Sequence, residues 1–171
     1  MIIRKETSTD IQSIHEVTVA AFLDAQHTDH TEQFIVKALR DSGVLSISLV
    51  AEVADQVVGH VALSPVSISD GAMHWYGLGP ISVLPNEQNK GIGSELMDAA
   101  IRELKTLKAR GCVLLGEPSY YHRFGFKPLD GLVLPDVPPE YFQALVLQGG
   151  TLQSGTPKGI VTYHESFLAK G

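Results

Sequence analysis

Apolar and polar positions change rhythm several times along the chain, and each change marks an element. Ile2-Ile3-Arg4 is a short strand. Thr7-Ser8-Thr9-Asp10 then reads as a capping box ahead of Ile11, Ile14, Val17, Ala21 and Phe22, which recur at helical spacing. After a polar connection from His27 to Glu32, Phe34, Ile35, Ala38 and Leu39 predict a second helix that stops at Ser42-Gly43. Leu45 to Val53 and Gln56 to Ser64 are rich in Val, Ile, Leu and Ala. The turn-prone Ala54-Asp55 between them predicts an antiparallel hairpin.

The second half continues the alternation. His74 to Val83 is a fourth strand, and a long helix starting near Ile92 stacks Ile92, Leu96, Ala100, Leu104 and Leu107 on one face. Gly111 is expected to end that helix, Cys112 to Leu115 to form a fifth strand, and Ser119 to Phe124 a short helix closed by Gly125. Asp136-Val137-Pro138-Pro139 marks a loop, Phe142 to Leu147 and Ile160 to Tyr163 read as late strands, and Gln148 to Pro157 as a Gly/Thr/Ser-rich connection. No linker or repeat divides the pattern, so one domain over 1–171 is expected.

Composition narrows the function classes. With 44% hydrophobic residues in 171, the chain can bury a sizeable core. No run approaches the roughly 18 apolar residues of a membrane span. Met1-Ile2-Ile3-Arg4-Lys5-Glu6 lacks the long apolar stretch of a signal peptide, so a cytoplasmic protein without membrane partners is expected. A net charge of −6 without a Lys/Arg cluster argues against nucleic-acid binding. The single cysteine, Cys112, lies beside Val113, Leu114 and Leu115 and reads as a buried small hydrophobe. His27-x-x-His30 falls in a polar loop with only Asp29 beside it, so no metal site is expected.

The chemistry begins at Gln88-Asn89-Lys90-Gly91-Ile92-Gly93-Ser94, between the fourth strand and the long helix. Two glycines separated by one residue allow a tight turn and a close backbone approach, and the first helical turn offers free N–H groups at the positive end of the helix dipole. That is a cradle for an anion. A dinucleotide fingerprint would need a small residue at Leu96, and a P-loop would need Gly-Lys-Ser/Thr where Gly93-Ser94-Glu95 stands. The remaining pattern, Gln-x-x-Gly-x-Gly, resembles that of the GNAT superfamily of acetyl-CoA-dependent N-acetyltransferases. Tyr120-Tyr121-His122-Arg123-Phe124-Gly125-Phe126 resembles a second signature of the same superfamily, in the expected order. Leu114 to Tyr121 and Gly159 to His164 are similar to the YhbS-like bacterial branch.

The resemblance implies an α/β (α+β) GNAT fold: a mixed, mostly antiparallel sheet flanked by helices, with strands 4 and 5 splayed. It implies acetyl-CoA as co-substrate and transfer of acetyl by direct attack of a primary amine, borne by a small molecule or a peptide, in a monomer or homodimer. The pantetheine arm would lie along the main chain of Ile81, Ser82 and Val83. The pyrophosphate would meet Asn89, Lys90, Gly91, Ile92, Gly93 and Ser94, with Gln88 bracing the loop. Tyr121 takes the position of the general acid that protonates the leaving thiolate. The fourth strand carries no carboxylate, unlike that of many relatives. Glu52, His60, His74 and His122 stand as alternatives for the base, and a catalytically silent acyl-CoA-binding regulatory module is the second reading. Trp75-Tyr76 is expected either to line an acceptor pocket or to pack at a sheet edge.

Overall fold

The computed structural model describes residues 1–147 and 156–171. Its strands are β1 (Ile2–Lys5), β2 (Ile47–Val53), β3 (Gln56–Ile68), β4 (Trp75–Val83), β5 (Gly111–Leu115), β6 (Leu132–Val133), β7 (Phe142–Val146) and β8 (Gly159–Tyr163). The α-helices are α1 (Ile11–Phe22), α2 (Glu32–Asp41), α3 (Ile92–Thr106) and α4 (Pro118–Tyr121). Hydrogen-bonded strands follow the order β1-β2-β3-β4-β5-β7, with β8 joining β3 to β6. β1 to β2 and β2 to β3 are antiparallel, whereas β4 and β5 are parallel, so the sheet is mixed. The expected connection from Gln148 to Pro157 lies almost wholly outside the described residues. The chain divides into two compact units: Met1–Ser64 with Gly79–Arg102 and Glu165–Gly171, and Pro65–Leu78 with Glu103–His164.

The first unit begins as the sequence predicts. Asp10 accepts a hydrogen bond from the Thr7 N–H at 2.7 Å, closing the turn before α1. The same carboxylate takes a forked pair from Arg4, at 2.7 and 3.0 Å, which holds it well below the usual carboxylate range even though burial opposes this. Arg4 also reaches Glu52 at 2.8 Å, so one guanidinium ties β1, β2 and the start of α1 together. Ala54 and Asp55 both have positive φ, as a two-residue hairpin turn requires, and the β2–β3 register slips once, at Ala51/Glu52. Ile14 of α1, Val36 of α2 and Val50 of β2 form one core cluster. Against the other face of β3, a side chain on Gly59 would meet Ile92 and Leu96 of α3 at 3.1 to 3.2 Å, so the helix rests directly on the strand.

The second unit is held by shape. Ile68, Trp75, Val113, Leu132, Phe142, Ala144 and Val161 form its buried cluster. Trp75 is 2% exposed, and its ring fills the space where Gly111 would carry a side chain. This settles the two expectations for Trp75: it is core, not pocket lining. It also corrects the expectation that Gly111 ends α3. The helix ends at Thr106, Lys108 takes the left-handed conformation (φ 58°), Ala109 N–H bonds back to the Leu104 carbonyl at 2.9 Å, and Gly111 is already the first residue of β5. Leu107, expected on the buried face of the helix, lies past its end and is 46% exposed, while Met97 is fully buried.

Candidate functional site

The cradle belongs to the first unit. β4 delivers Ile81, Ser82 and Val83; Ser82 is buried and its neighbours are half-buried. A 3-10 turn at Pro85–Glu87 follows, and Gln88 then folds back so that its side-chain amide donates to the Val83 carbonyl at 3.1 Å. That hydrogen bond ties the loop back to the end of β4. Asn89 (φ 63°) and Gly91 (φ 85°) both turn left-handed, and nothing lies within 4 Å of where a Gly91 side chain would begin. The loop is therefore shaped by its backbone and open on the Gly91 side.

The first intrahelical bond of α3 runs from Glu95 N–H to the Gly91 carbonyl at 3.1 Å, which leaves Ile92, Gly93 and Ser94 at the helix start, where amides have no carbonyl of their own helix to bond. Those amides, with the positive end of a 15-residue helix behind them, suit an anionic ligand. Gln88, Asn89, Lys90 and Gly91 are exposed, Gly93 and Ser94 half-buried, and Ile92 is anchored in the core. Lys90 adds less free charge than its position suggests, because its ammonium pairs with Glu87 at 3.2 Å. Sequence reading missed that pair, although the three-residue spacing from Glu87 is a usable signal.

The second candidate cluster lies in the other unit. Pro118 opens α4, Tyr120 and Tyr121 N–H groups both bond to the Glu117 carbonyl at 3.1 Å, and the chain continues through a 3-10 turn, His122–Phe124, to Gly125 in the left-handed conformation (φ 94°). Tyr121 packs edge-on against Tyr120 (centroids 4.9 Å apart) and Phe126 (6.4 Å). Its ring occupies the side-chain space of Gly116. Gly116 is itself fixed, its N–H donating to the Tyr141 carbonyl and its C=O accepting from the Gln143 amide, both at 3.0 Å. Gln143, 1% exposed, and Gly116 thus position the phenol, and neither was singled out from sequence. Burial, with a smaller push from Tyr120, raises the Tyr121 phenol to about 12. Tyr120 packs on Phe124 and carries the Arg123 guanidinium 4.6 Å above its ring, which fits a packing role.

The four alternatives for a base separate clearly. Glu52 is engaged by Arg4. His74, one residue before β4, and His122 are exposed, and the His74 carbonyl accepts from Arg110 N–H at 2.8 Å. His60 is fully buried on β3, bonded through Nε2 to Ser48 at 2.8 Å, and burial lowers its imidazole to about 4. It is neutral at physiological pH.

Among the described residues, no helix is long and apolar enough to cross a membrane. Residues 2–129 match the model of the acetyltransferase (GNAT) domain. The chain is 32% identical over 171 residues to the uncharacterized N-acetyltransferase YhbS of Escherichia coli (strain K12), covering 98% of each chain. A GNAT family acetyltransferase from Brucella melitensis, solved in complex with acetyl-CoA, is 44% identical, with a TM-score of 0.83 and 97% of each chain covered. Escherichia coli YhbS, solved in complex with CoA, is 30% identical, with a TM-score of 0.87 over 99% of this chain and 93% of its own. The chain belongs to the GNAT family of acetyltransferases.

Proposed function

We propose that the protein transfers an acetyl group from acetyl-CoA to a primary amine by direct attack. The observation that carries this reading is the cradle: an open left-handed turn at Gly91 running into the free first-turn amides of α3, which suits a pyrophosphate. The relatives solved with acetyl-CoA and with CoA support the choice of thioester. In this reading the Ile81–Val83 main chain holds the pantetheine arm, Asn89 to Ser94 hold the pyrophosphate, and Gln88 keeps the loop in shape. The amine nitrogen forms a C–N bond as the C–S bond breaks, and the sulfur leaves with a proton from Tyr121. Raised to about 12, that phenol stays protonated throughout the physiological range, while the thiolate it serves belongs to a thiol of pKa ~8.5.

Calorimetry with acetyl-CoA tests the cradle, and coenzyme A release against a panel of primary amines tests transfer. Absence of binding overturns the whole reading. Tyr121→Phe should lower kcat by about 10²-fold or more while leaving the acetyl-CoA Kd within twofold. A wild-type rate in that variant removes Tyr121 from the reaction. A second reading, an acyl-CoA-binding module without turnover, draws on the lack of any carboxylate in β4 and predicts tight binding with no amine accepted.

A further inference from the structure

The cradle carries one charged pair of its own, and the pair is asymmetric. Glu87 is held from the backbone: it is the last residue of the 3-10 turn, its N–H bonds to the Leu84 carbonyl at 2.8 Å, and its side chain is 23% exposed. Lys90 is 58% exposed and reaches back three residues to Glu87 Oε2. The carboxylate is thus the fixed partner and the ammonium the mobile one. At 3.2 Å the contact is longer than the roughly 2.7 to 2.9 Å of a tight charge-assisted bond, so it is loose enough to exchange.

Holding the loop together does not account for this pair, because an exposed ion pair contributes little to stability. Gln88 already ties the loop to Val83, and the left-handed turns at Asn89 and Gly91 shape it through the backbone. Nor does Lys90 need a carboxylate to aim it, since an ammonium on a flexible four-carbon stem is a point charge that meets an anion from any side. What Glu87 adds to the cradle is negative charge. It stands on the loop that leads into the free first-turn amides of α3, so an anion held near Lys90 meets repulsion from Glu87 as well as attraction.

We propose that Glu87 is an internal competitor of the cofactor: its carboxylate holds the Lys90 ammonium while the cradle is empty and gives it up to the phosphates of the coenzyme. The inference rests on the acetyl-CoA reading of the cradle. Binding is then an exchange of one anion for another at Lys90, so the coenzyme is held more weakly than the open turn and the helix dipole alone would hold it. Product release is where this matters. Coenzyme A keeps every phosphate of acetyl-CoA, so the cradle cannot tell product from substrate by charge, and a carboxylate that reclaims Lys90 hastens departure.

The test is calorimetry of the full-length protein with coenzyme A, wild type against Glu87→Gln, which keeps the shape of the side chain and removes its charge. The variant should bind about fivefold more tightly at low salt, the size expected when one unit charge is removed a few ångströms from a phosphate at a protein surface. At about 1 M salt, where charges are screened beyond ~3 Å, the two affinities should converge. A gain that persists undiminished at high salt means that the substitution reshapes the loop, and it overturns the proposal. Lys90→Met should cost more affinity in the Glu87→Gln background than in the wild type, because only there is the ammonium free beforehand; equal losses overturn the exchange. An unchanged affinity in Glu87→Gln, or a weaker one showing that Glu87 aims Lys90 instead of competing for it, also overturns the proposal and leaves acetyl transfer standing. A wild type that binds no coenzyme overturns the cradle reading itself, and the competition with it.

Discussion

The two compact units hold their chains in opposite ways. In the first, position is fixed by charge: Arg4 bridges Asp10 and Glu52, and Arg40 grips Glu6, which is linked through Ser48 to His60. In the second, position is fixed by rings set against glycines: Trp75 over Gly111, Tyr163 over Gly77 and Tyr121 over Gly116. Directional bonds set a distance and a protonation state, whereas a ring against a bare backbone sets a close approach. The first device is sensitive to pH and the second to added volume.

Substitutions can break this contrast. The largest effect is expected at Gly91, where a side chain enters open space and strains a left-handed turn: Gly91→Glu should weaken acetyl-CoA binding by more than 10³-fold, about 4 kcal/mol, with melting changed by only a few degrees. Calorimetry beside a thermal melt separates the two. Next is Gly111→Ala, whose methyl group would collide with the buried Trp75 ring. A loss of about 3 kcal/mol in urea unfolding is expected, and a near-neutral result would mean that Trp75 moves freely and that shape is not what fixes the second unit.

The charge-fixed unit makes a prediction in pH. His60 is lowered by burial from an ordinary 6.5 to about 4, opposed by Glu6 and reinforced by Arg40, the two charged groups that face it. The unfolded imidazole therefore takes up a proton first as pH falls. Its contribution is complete above about 6.5, declines between 6.5 and 4, and is flat below, a difference of up to about 3 kcal/mol. His60→Gln should flatten the unfolding free energy across that window, and an unchanged slope would contradict the assignment. The smallest effect belongs to the exposed Lys37–Asp41 pair, 2.5 Å apart on α2: Lys37→Ala should cost under about 0.5 kcal/mol.

These contrasts also explain what could be read in the chain itself. The cradle was legible because its parts are local: Gly91 needs a left-handed φ, Gln88 reaches back only to Val83, and α3 starts at the next residue. The α1 start was legible for the same reason, with Thr7 and Asp10 three residues apart. Gly111 misled because a glycine after a helix usually ends it, whereas here its partner is Trp75, 36 positions earlier in sequence and directly opposite in the β4–β5 register. β3 runs four residues past the expected Ser64, through Pro65, because β8 pairs with Val66, Ser67 and Ile68, and no local pattern announces that partner. His60 stood out by residue type alone; Ser48 of β2, Arg40 of α2 and Glu6 just after β1, which give it meaning, are all distant from it in sequence.

The buried Cys112 has a practical consequence for the chemistry proposed above. It is the chain's single cysteine, it is 0% exposed, and burial raises its thiol far above the ordinary range, so it is neither ionised nor accessible in the native fold. A disulfide reagent added to the native protein should therefore register only the thiol of released coenzyme A, with no blank from the protein itself. The same reagent in rising urea should report one thiol per chain as β5 comes apart. A single side chain thus makes the protein silent in its own assay and a counter of its own unfolding.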